Sequence, residues 1–391
     1  MVRPDIVTLV NRETQTSNTA VYKKDLPKAG GISAIDINVR MQNAGTAYTN
    51  KDLLDAISRI ELIFNGTDRR LSLTGPEMFR LGWLKTGSPL AYNWDQTPTT
   101  GYPEVKLRYM PGRYIGDPQY GIDLSRFNNV QLNIDYDLTE FGTAGTHFTT
   151  GSFSPSVLLH MFQPGNVPSF RGMIGQREIW NYTSVGGDVH KDVDLPSSHP
   201  VCGIGIFAME DNVAEGTDIT EVIIGKDQYR TRWVDGYWYN LQPICNENLD
   251  VREEIFKLVA TDDQVLDTHL ANIKNAQMHS EVTSFAANAS GSVNVMSGTL
   301  AAGNRITLKG ETVSLDGTAA DNKVTHAAIS AATSYLKVTG DVHGALYFPF
   351  GKPEDNFVDA LMPADLQSAQ VRLLDAAAGA YTAVVVEEIY S

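Results

Sequence analysis

An ordered internal repeat constrains the fold of this 391-residue chain more than any other feature of its sequence. Asp25-Leu26-Pro27 returns as Asp194-Leu195-Pro196, and spaced branched residues follow both copies. Further pairs occur in the same order, namely Asp55-Ala-Ile57 with Asp218-Ile219, Tyr109-Met110-Pro111 with Tyr347-Phe348-Pro349, Asp123-Leu124 with Asp365-Leu366, and Val130-x-Leu132 with Val371-x-Leu373. Because ordered self-similarity reflects a repeated structural unit, the sequence predicts two similar domains in tandem. The alternative is two unrelated domains whose strands are alike only because all amphipathic strands are.

Alternation of apolar and polar residues indicates that each unit is built from strands. From Val130 to Leu138 every second residue is apolar, and the segments Ile35 to Met41 and Val105 to Tyr109 follow the same pattern. Such alternation is typical of strands that turn one face to a core. Ile60 to Phe64 leads into Asn65-Gly66, a dipeptide that favours a tight hairpin turn. Glycine and proline separate most of these segments, as in a sandwich or a barrel.

One part of the chain has a different periodicity. Residues 244–290 contain neither glycine nor proline, and their apolar residues recur at helical spacing. Asp250-x-x-Glu253 and Thr261-x-x-Gln264 both match a capping box, so the pattern predicts a helical segment over 247–278. A shorter helix is predicted from Pro76 to Leu84, with Thr74 or Gly75 as its cap.

The stretch 279–343 is rich in small residues and has weak apolar periodicity. Short strands are predicted within it at Val293 to Met296 and at Arg305 to Lys309. Since few of its residues could fill a core, we expect it to be an insertion on the scaffold.

Together these patterns predict an all-β fold of two tandem eight-stranded jelly rolls, with short helices and a long insertion in the second barrel. The predicted boundaries are an N-terminal arm at 1–30, a first jelly roll at 31–165, a linker at 166–176 and a second jelly roll at 177–391. A chain of 42.8 kDa is long enough to give each domain its own core.

With this architecture the chain resembles the double jelly-roll major capsid proteins of the adenovirus and tectivirus lineage, which occur in tailless icosahedral, membrane-containing viruses. The resemblance covers most of residues 20–391. It rests on the strand, turn and helix pattern of Ile57 to Gly66 and Leu71 to Leu81, and on a closing strand within Tyr381 to Ile389. The segment 247–343 departs from the smaller members of the family.

The resemblance implies a structural protein without catalytic activity or cofactors. Two upright barrels per chain and three chains per capsomer would place six barrels around a threefold axis, a pseudo-hexamer that can tile a closed shell. The implied partners are two further copies of the chain, neighbouring capsomers, penton or minor capsid proteins and an internal membrane. The implied location is the virion capsid, assembled in the host cytoplasm.

The N-terminal residues carry positive charge on an acidic chain whose net charge is −15. The basic residues of this segment are Arg3, Arg12, Lys23, Lys24 and Lys28. A basic arm on an acidic body favours contact with the capsid interior, either a lipid surface or a neighbouring subunit. The alternative is a short polar tail with ordinary charges.

The densest aromatic region of the chain supplies candidate anchors for subunit contacts, because aromatic side chains are enriched at interfaces. Its members are Trp180, Trp233, Tyr237, Trp238 and Tyr239. The alternative for each of them is ordinary packing in the core of the second barrel.

The sequence contains no convincing motif for catalysis, for a metal site or for a cofactor. The eight histidines lack zinc-site spacing. His190-x-Asp192-x-Asp194 could place donors on one face of a strand, but it is interpreted as a solvated loop. Gly203-Ile-Gly205 matches a dinucleotide fingerprint only loosely and is interpreted as close packing in a strand. Cys202 and Cys245 are expected to be buried thiols and not a disulfide.

Composition excludes some functions and leaves two rivals. A surface this acidic repels phosphate backbones, and the first residues lack the apolar core of a secretory signal, so we expect neither sequence-specific nucleic-acid binding nor export. One rival is a carbohydrate-binding or glycan-processing β-sandwich protein, which would need an exposed aromatic platform or a carboxylate pair in a cleft. The other is a viral spike or adhesin, to which the region 279–343 would be suited.

Overall fold

The chain is described by a computed structural model. It covers residues 3–44, 53–86, 92–95, 97, 99–139, 147–209, 216–247, 252–259, 264–267, 270–281, 293–300, 305–313, 333–351 and 357–391.

The described residues of the first half form ten strands, one α-helix and a short 3-10 helix at Leu124–Arg126. In chain order the strands are β1 Asp5–Val10, β2 Thr19–Asp25, β3 Gly31–Arg40, β4 Ile57–Phe64, β5 Asp68–Leu73, β6 Tyr92–Asp95, β7 Glu104–Tyr109, β8 Ile122–Asp123, β9 Val130–Asp137 and β10 Ser154–Phe162, and the helix α1 Gly75–Thr86 follows β5. Four strands pair in the order β1-β10-β3-β7, and four more in the order β2-β9-β4-β5. These two sheets enclose one apolar core, which is the strand arrangement of a jelly roll.

The second half repeats this arrangement around an insertion. Its first elements are β11 Met173–Val185, β12 Val189–Asp194, β13 Val201–Met209, β14 Ile219–Lys226, β15 Thr231–Tyr237 and the helix α2 Trp238–Asn246. The insertion contributes β16 Arg252–Val259, β17 Gln264–Asp267, β18 Leu270–Glu281, β19 Val293–Leu300, β20 Arg305–Val313 and β21 Thr333–Val342. The last elements are β22 Ala345–Pro349, the helix α3 Pro363–Leu366, β23 Ala369–Asp375 and β24 Ala378–Tyr390.

The sheet orders β11-β24-β13-β22 and β12-β23-β14-β15 match those of the first jelly roll strand for strand. The repeated sequence anchors fall on equivalent elements. Asp25 and Asp194 end β2 and β12, whereas Ile57 and Ile219 begin β4 and β14. The prediction of two tandem eight-stranded jelly rolls is therefore confirmed.

One continuous eight-stranded sheet joins the two jelly rolls. Within it β5 and β11 pair in parallel, with Leu71 opposite Gln176 and Ser72 opposite Arg177. Successive residues of β24 project to opposite faces. Val385 packs in the core of the first jelly roll and Val386 in that of the second. The two outer sheets therefore cover opposite faces of the shared sheet.

The insertion leaves the second jelly roll between α2 and β22 and extends a sheet of the first. Strand β16 pairs in parallel with β6, with Phe256 opposite Trp94, and the sheet continues through β21 to β18. Strands β17, β20 and β19 form a separate three-stranded sheet. The strands predicted near Val293 and Arg305 are confirmed and are longer than expected.

The helical segment predicted over 247–278 is wrong. Its described residues form β16, β17 and β18. In β16 the buried residues are Glu254 and Phe256, whereas Ile255 is exposed, so the burial alternates with period two. Pairing with β6 and β21 outweighs the local helical signals, because tertiary context routinely overrides intrinsic propensity.

The predicted N-terminal boundary is also wrong. Residues of the supposed arm form β1, which pairs with β10, and β2, which pairs with β9, so they belong to the first jelly roll. The second jelly roll begins at Met173, inside the predicted linker.

The helix predicted near Pro76 is confirmed as α1. Thr74 and Glu77 form a reciprocal capping box, in which the Glu77 amide donates to Thr74 Oγ1 and the Thr74 amide donates to Glu77 Oε2 at 2.8 Å.

Candidate functional site: the seam and the outer faces

Helix α1 lies in the seam between the jelly rolls and connects them through polar contacts. Arg80 Nε donates to the His343 carbonyl at 2.9 Å, and Lys85 Nζ lies 2.6 Å from Glu387 Oε1 on β24. Each of these contacts joins residues more than 250 positions apart in the sequence. The helix that follows β5 in the first jelly roll therefore fixes the position of the second.

A pair of carboxyl groups, Glu77 and Glu178, is buried at the start of α1. The Tyr381 hydroxyl donates to Glu178 Oε2 at 2.8 Å and lies 3.3 Å from Glu77 Oε1. Arg59 lies 3.0 Å from Glu178 and balances one negative charge. Burial, and then repulsion by Glu178, raises the pKa of Glu77 to about 8. Glu77 is therefore protonated at neutral pH.

Two further carboxylates on β24 complete the polar seam. Glu387 accepts hydrogen bonds from Lys85, Gln176 Nε2 and the Tyr347 hydroxyl. Glu388, which is fully buried, binds the Arg177 guanidinium through Nε at 2.8 Å. Glu178, Glu387 and Glu388 therefore each have a cationic partner, in Arg59, Lys85 and Arg177 respectively.

A pocket of about 490 Å³ opens beside Glu387 at the ends of α1 and α2. Its walls are mostly apolar and include Phe348 and Phe357, and both cysteines of the chain line it. Burial raises the pKa of Cys245 to about 11 and that of Cys202 further. Both thiols are free, but only Cys202 is buried as predicted, whereas Cys245 is partly exposed. Protonated thiols of this kind are poor nucleophiles.

The five aromatic candidates occupy different environments. Trp238 is 1% exposed and packs in the second core, with Trp180 and Trp233 partly buried against it. Tyr237 and Tyr239 are 52% and 61% exposed, and their rings stack with centroids 5.8 Å apart. A role of these aromatic residues at a subunit interface stays a prediction, and the two exposed tyrosines are the best placed for it.

The basic N-terminal residues lie on or beside the first jelly roll. Arg12 lies 3.5 Å from Glu104 and Lys24 lies 3.5 Å from Glu13. Arg3, Lys23 and Lys28 are exposed. Their predicted contact with the capsid interior stays a prediction.

The weaker motifs are explained by ordinary packing. The loop predicted from His190 to Asp194 is wrong, because these residues form β12 and pair with β23. Asp192 binds Arg372 and the Tyr229 hydroxyl on the surface of the second jelly roll. A Cβ at Gly203 would lie 2.5 Å from the Tyr347 hydroxyl, so that glycine allows close packing within the sheet. Within the described ranges, no group of three or more His, Cys, Asp or Glu side chains is placed to hold a metal ion. No helix among them is both long and apolar enough to cross a bilayer.

Sequence reasoning did not find the seam. Glu77 and Glu178 are about a hundred residues apart, and Tyr381 lies two hundred residues further along. The capping-box pattern at Thr74 was the one available signal, and it indicates where Glu77 lies on the helix but not that its carboxyl group is buried.

Comparison with known proteins identifies the fold. No protein-family model and no curated protein sequence matches the chain. Among solved structures, the chain is similar to the STIV major capsid protein, with 12% identity and a TM-score of 0.55 over 99% of this chain and 96% of that one. It is also similar to a chain in the structure of Sulfolobus turreted icosahedral virus, with 11% identity and a TM-score of 0.55 over 100% and 91% of the two chains.

A third similar structure is the major capsid protein P2 from bacteriophage PM2, with 9% identity and a TM-score of 0.50 over 99% of this chain and 98% of that one. Identities this low establish a common fold and nothing more specific. The similarity spans nearly the whole of this chain and therefore both of its jelly rolls.

Proposed function

We propose that the chain is the major capsid protein of an icosahedral virus, structural and without catalytic activity. The observation that carries the proposal is the pairing of two complete jelly rolls within one chain through a continuous sheet. The solved structures that share this arrangement over nearly their whole length are viral major capsid proteins. Three copies would form a pseudo-hexameric capsomer, and its partners would be neighbouring capsomers and penton or minor capsid proteins in a virion assembled in the host cytoplasm.

The native mass of the purified protein tests the capsomer directly. We expect light scattering to give about 128 kDa, three times the chain mass of 42.8 kDa, because a closed threefold ring places six barrels around one axis. A particle that stays at the mass of one chain up to high concentration would contradict the proposal. Binding of glycans to the stacked Tyr237 and Tyr239 would then be the next measurement, since an exposed aromatic platform is what a carbohydrate-binding protein needs.

We also propose that the exposed basic residues near the N-terminus face an internal membrane. Because residues 5–10 form β1, a deletion would remove a strand of the first jelly roll, and substitutions are the better test. Replacing Arg3, Lys23 and Lys28 by glutamine is expected to weaken binding to vesicles of phosphatidylcholine and phosphatidylserine, measured by flotation, by about a hundredfold, since each basic residue near an anionic surface contributes about 1 kcal/mol. Equal flotation of the variant and the original protein would refute this orientation.

A further inference from the structure

The net negative charge of the chain lies in its second half. Residues 1–165 carry 16 basic and 16 acidic side chains, whereas residues 166–391 carry 15 basic and 30 acidic ones. The two jelly rolls therefore share a topology but differ strongly in charge. Any contact between the first jelly roll of one copy and the second jelly roll of another copy therefore joins two surfaces of different net charge.

The outward face of the sheet β1-β10-β3-β7 has an excess of basic groups. Ile35, Ile37, Val105 and Leu107 point into the core, so the residues alternating with them point outward. The charged side chains on or beside this face, here called the basic flank, are Arg12, Arg40, Lys106 and Arg108 against Asp36 and Glu104. Its formal charge is therefore +2. Ile6, which is 66% exposed on β1, adds an apolar group beside it.

The outward face of the sheet β12-β23-β14-β15 has the opposite excess. Val193, Val222, Val371 and Leu373 point into the second core. The charged side chains of the outward face, here called the acidic flank, are Asp192, Asp194, Glu221 and Asp235 against Arg232 and Arg372. Its formal charge is −2. Tyr237, which pairs with Glu221 across β14 and β15, lies on the same flank and brings the stacked Tyr239 with it.

The two flanks face away from each other. The sheet that bears the basic flank covers one face of the continuous sheet, and the sheet that bears the acidic flank covers the opposite face. Two flanks of one molecule cannot meet each other, but the basic flank of one copy can meet the acidic flank of the next. Repetition of such a head-to-tail contact closes into a ring when the rotation allows it.

We propose that the basic flank of one chain docks on the acidic flank of a second copy, with Tyr237 and Tyr239 as apolar anchors. The inference rests on the trimer of the proposed function and adds the surfaces and the charges that hold it together. Opposite potentials across a contact speed encounter, fix its register and disfavour wrong pairings. A contact between two basic flanks, or between two acidic flanks, is disfavoured by the same charges. The contact is therefore heterologous and weakens as salt is raised.

Charge reversal on one flank at a time tests the contact. The acidic-flank variant combines Asp194→Lys with Asp235→Lys, and the basic-flank variant combines Arg12→Glu with Arg40→Glu. The matched control combines Arg171→Glu with Asp359→Lys, two exposed positions on neither flank. At physiological salt, trimers of each one-flank variant are expected to dissociate below a protein concentration about tenfold or more higher than for the original protein, because like charges then face each other. The control is expected to match the original protein.

The decisive variant carries all four flank substitutions, because it exchanges the signs of the two flanks. Its association is expected to return to within about threefold of the original, since unlike charges face each other again. Trimers that persist in both one-flank variants would overturn the inference but not the capsid function. The same conclusion would follow if trimers dissociated in both one-flank variants and did not re-form in the fourfold variant. A chain that is monomeric before any substitution would contradict the proposed function itself.

Discussion

Replacing Asp36 with alanine is expected to lower the free energy of unfolding by about 3–5 kcal/mol, the usual cost of removing one partner from a buried ion pair. Asp36 is 1% exposed on β3 and accepts two hydrogen bonds from Arg108, at 2.5 and 2.9 Å. Lys106 lies 2.8 Å and His160 3.0 Å from the same carboxylate. Alanine leaves the two cationic side chains half-buried without their counter-charge, and three strands lose their common acceptor.

The pKa of Asp36 determines whether the free energy of unfolding rises or falls as the solution is acidified. Although burial alone would raise its pKa, hydrogen bonds from Arg108, Lys106 and His160 lower the pKa to about 2. A carboxyl group whose pKa is lower in the folded state stabilises the fold above its unfolded pKa, and this stabilisation is lost as the pH falls towards 2. Urea unfolding at pH 7 and pH 3 measures both effects. The free energy of unfolding of Asp36→Asn, which keeps one acceptor oxygen, is expected to lie between that of Asp36→Ala and that of the original protein.

Asp25→Ala is the matched control for this measurement, because Asp25 is an exposed aspartate at the end of β2, the strand that precedes β3 in the chain. It is expected to change the free energy of unfolding by less than about 0.5 kcal/mol, as most surface substitutions do. A similarly small change for Asp36→Ala would show that the cluster on this face contributes little to the fold.

Replacing Glu77 with glutamine is expected to stabilise the protein at alkaline pH. Glutamine has nearly the shape of a protonated glutamate, so it can accept the Thr74 amide hydrogen bond and donate towards Glu178 without ever acquiring charge. The original side chain must lose its proton in a buried site beside a second carboxylate once the pH exceeds about 8. Above that pH the adjacent carboxylates of Glu77 and Glu178 repel each other beside the guanidinium of Arg59, and the variant avoids this repulsion.

The pH range of this effect follows from linkage. The folded state retains the Glu77 proton up to a pKa of about 8, whereas an unfolded glutamate loses it near pH 4.5. Folded chains therefore bind more protons between these values, so this group reduces stability as the pH rises, by up to about 1.4 kcal/mol per pH unit. The difference between Glu77→Gln and the original should grow across this range and level off beyond it. Parallel stability curves for the two proteins would contradict the burial of a neutral Glu77.

Glu247→Gln provides the control for Glu77→Gln. Glu247 is exposed at the end of α2, so its substitution removes a carboxyl group from the surface and leaves the buried seam unchanged. We expect the stability of this variant to follow that of the original protein across the same pH range.

The elements that sequence reasoning predicted correctly are those specified by local pattern. The alternation at Val130 identified β9, and Asn65-Gly66 identified the β4–β5 turn, where both residues adopt positive φ. The repeated anchors found the equivalence of the two halves because the same strand positions need the same apolar residues. These signals need no knowledge of distant residues.

The errors occurred where distant partners decide the structure. The helical spacing around Ile255 was outweighed by pairing with β6, a strand 160 residues earlier. The sequence favours an N-terminal arm because nothing local shows that Thr8 lies opposite Leu158. The seam was missed for the same reason, since Arg59, Glu178 and Tyr381 come together only when both jelly rolls are complete.

The shared sheet has a consequence for how this chain reaches its native state. When a ribosome has made the first jelly roll, β5 still lacks β11 and β6 still lacks β16, so two strand edges are open. Strand β24, the antiparallel partner of β11, is synthesised about two hundred residues after it. Non-local pairing of this kind slows folding and leaves unpaired edges that promote aggregation. We therefore expect productive folding to begin only near the end of synthesis, and the yield of soluble protein to depend on chaperones that shield those edges until then.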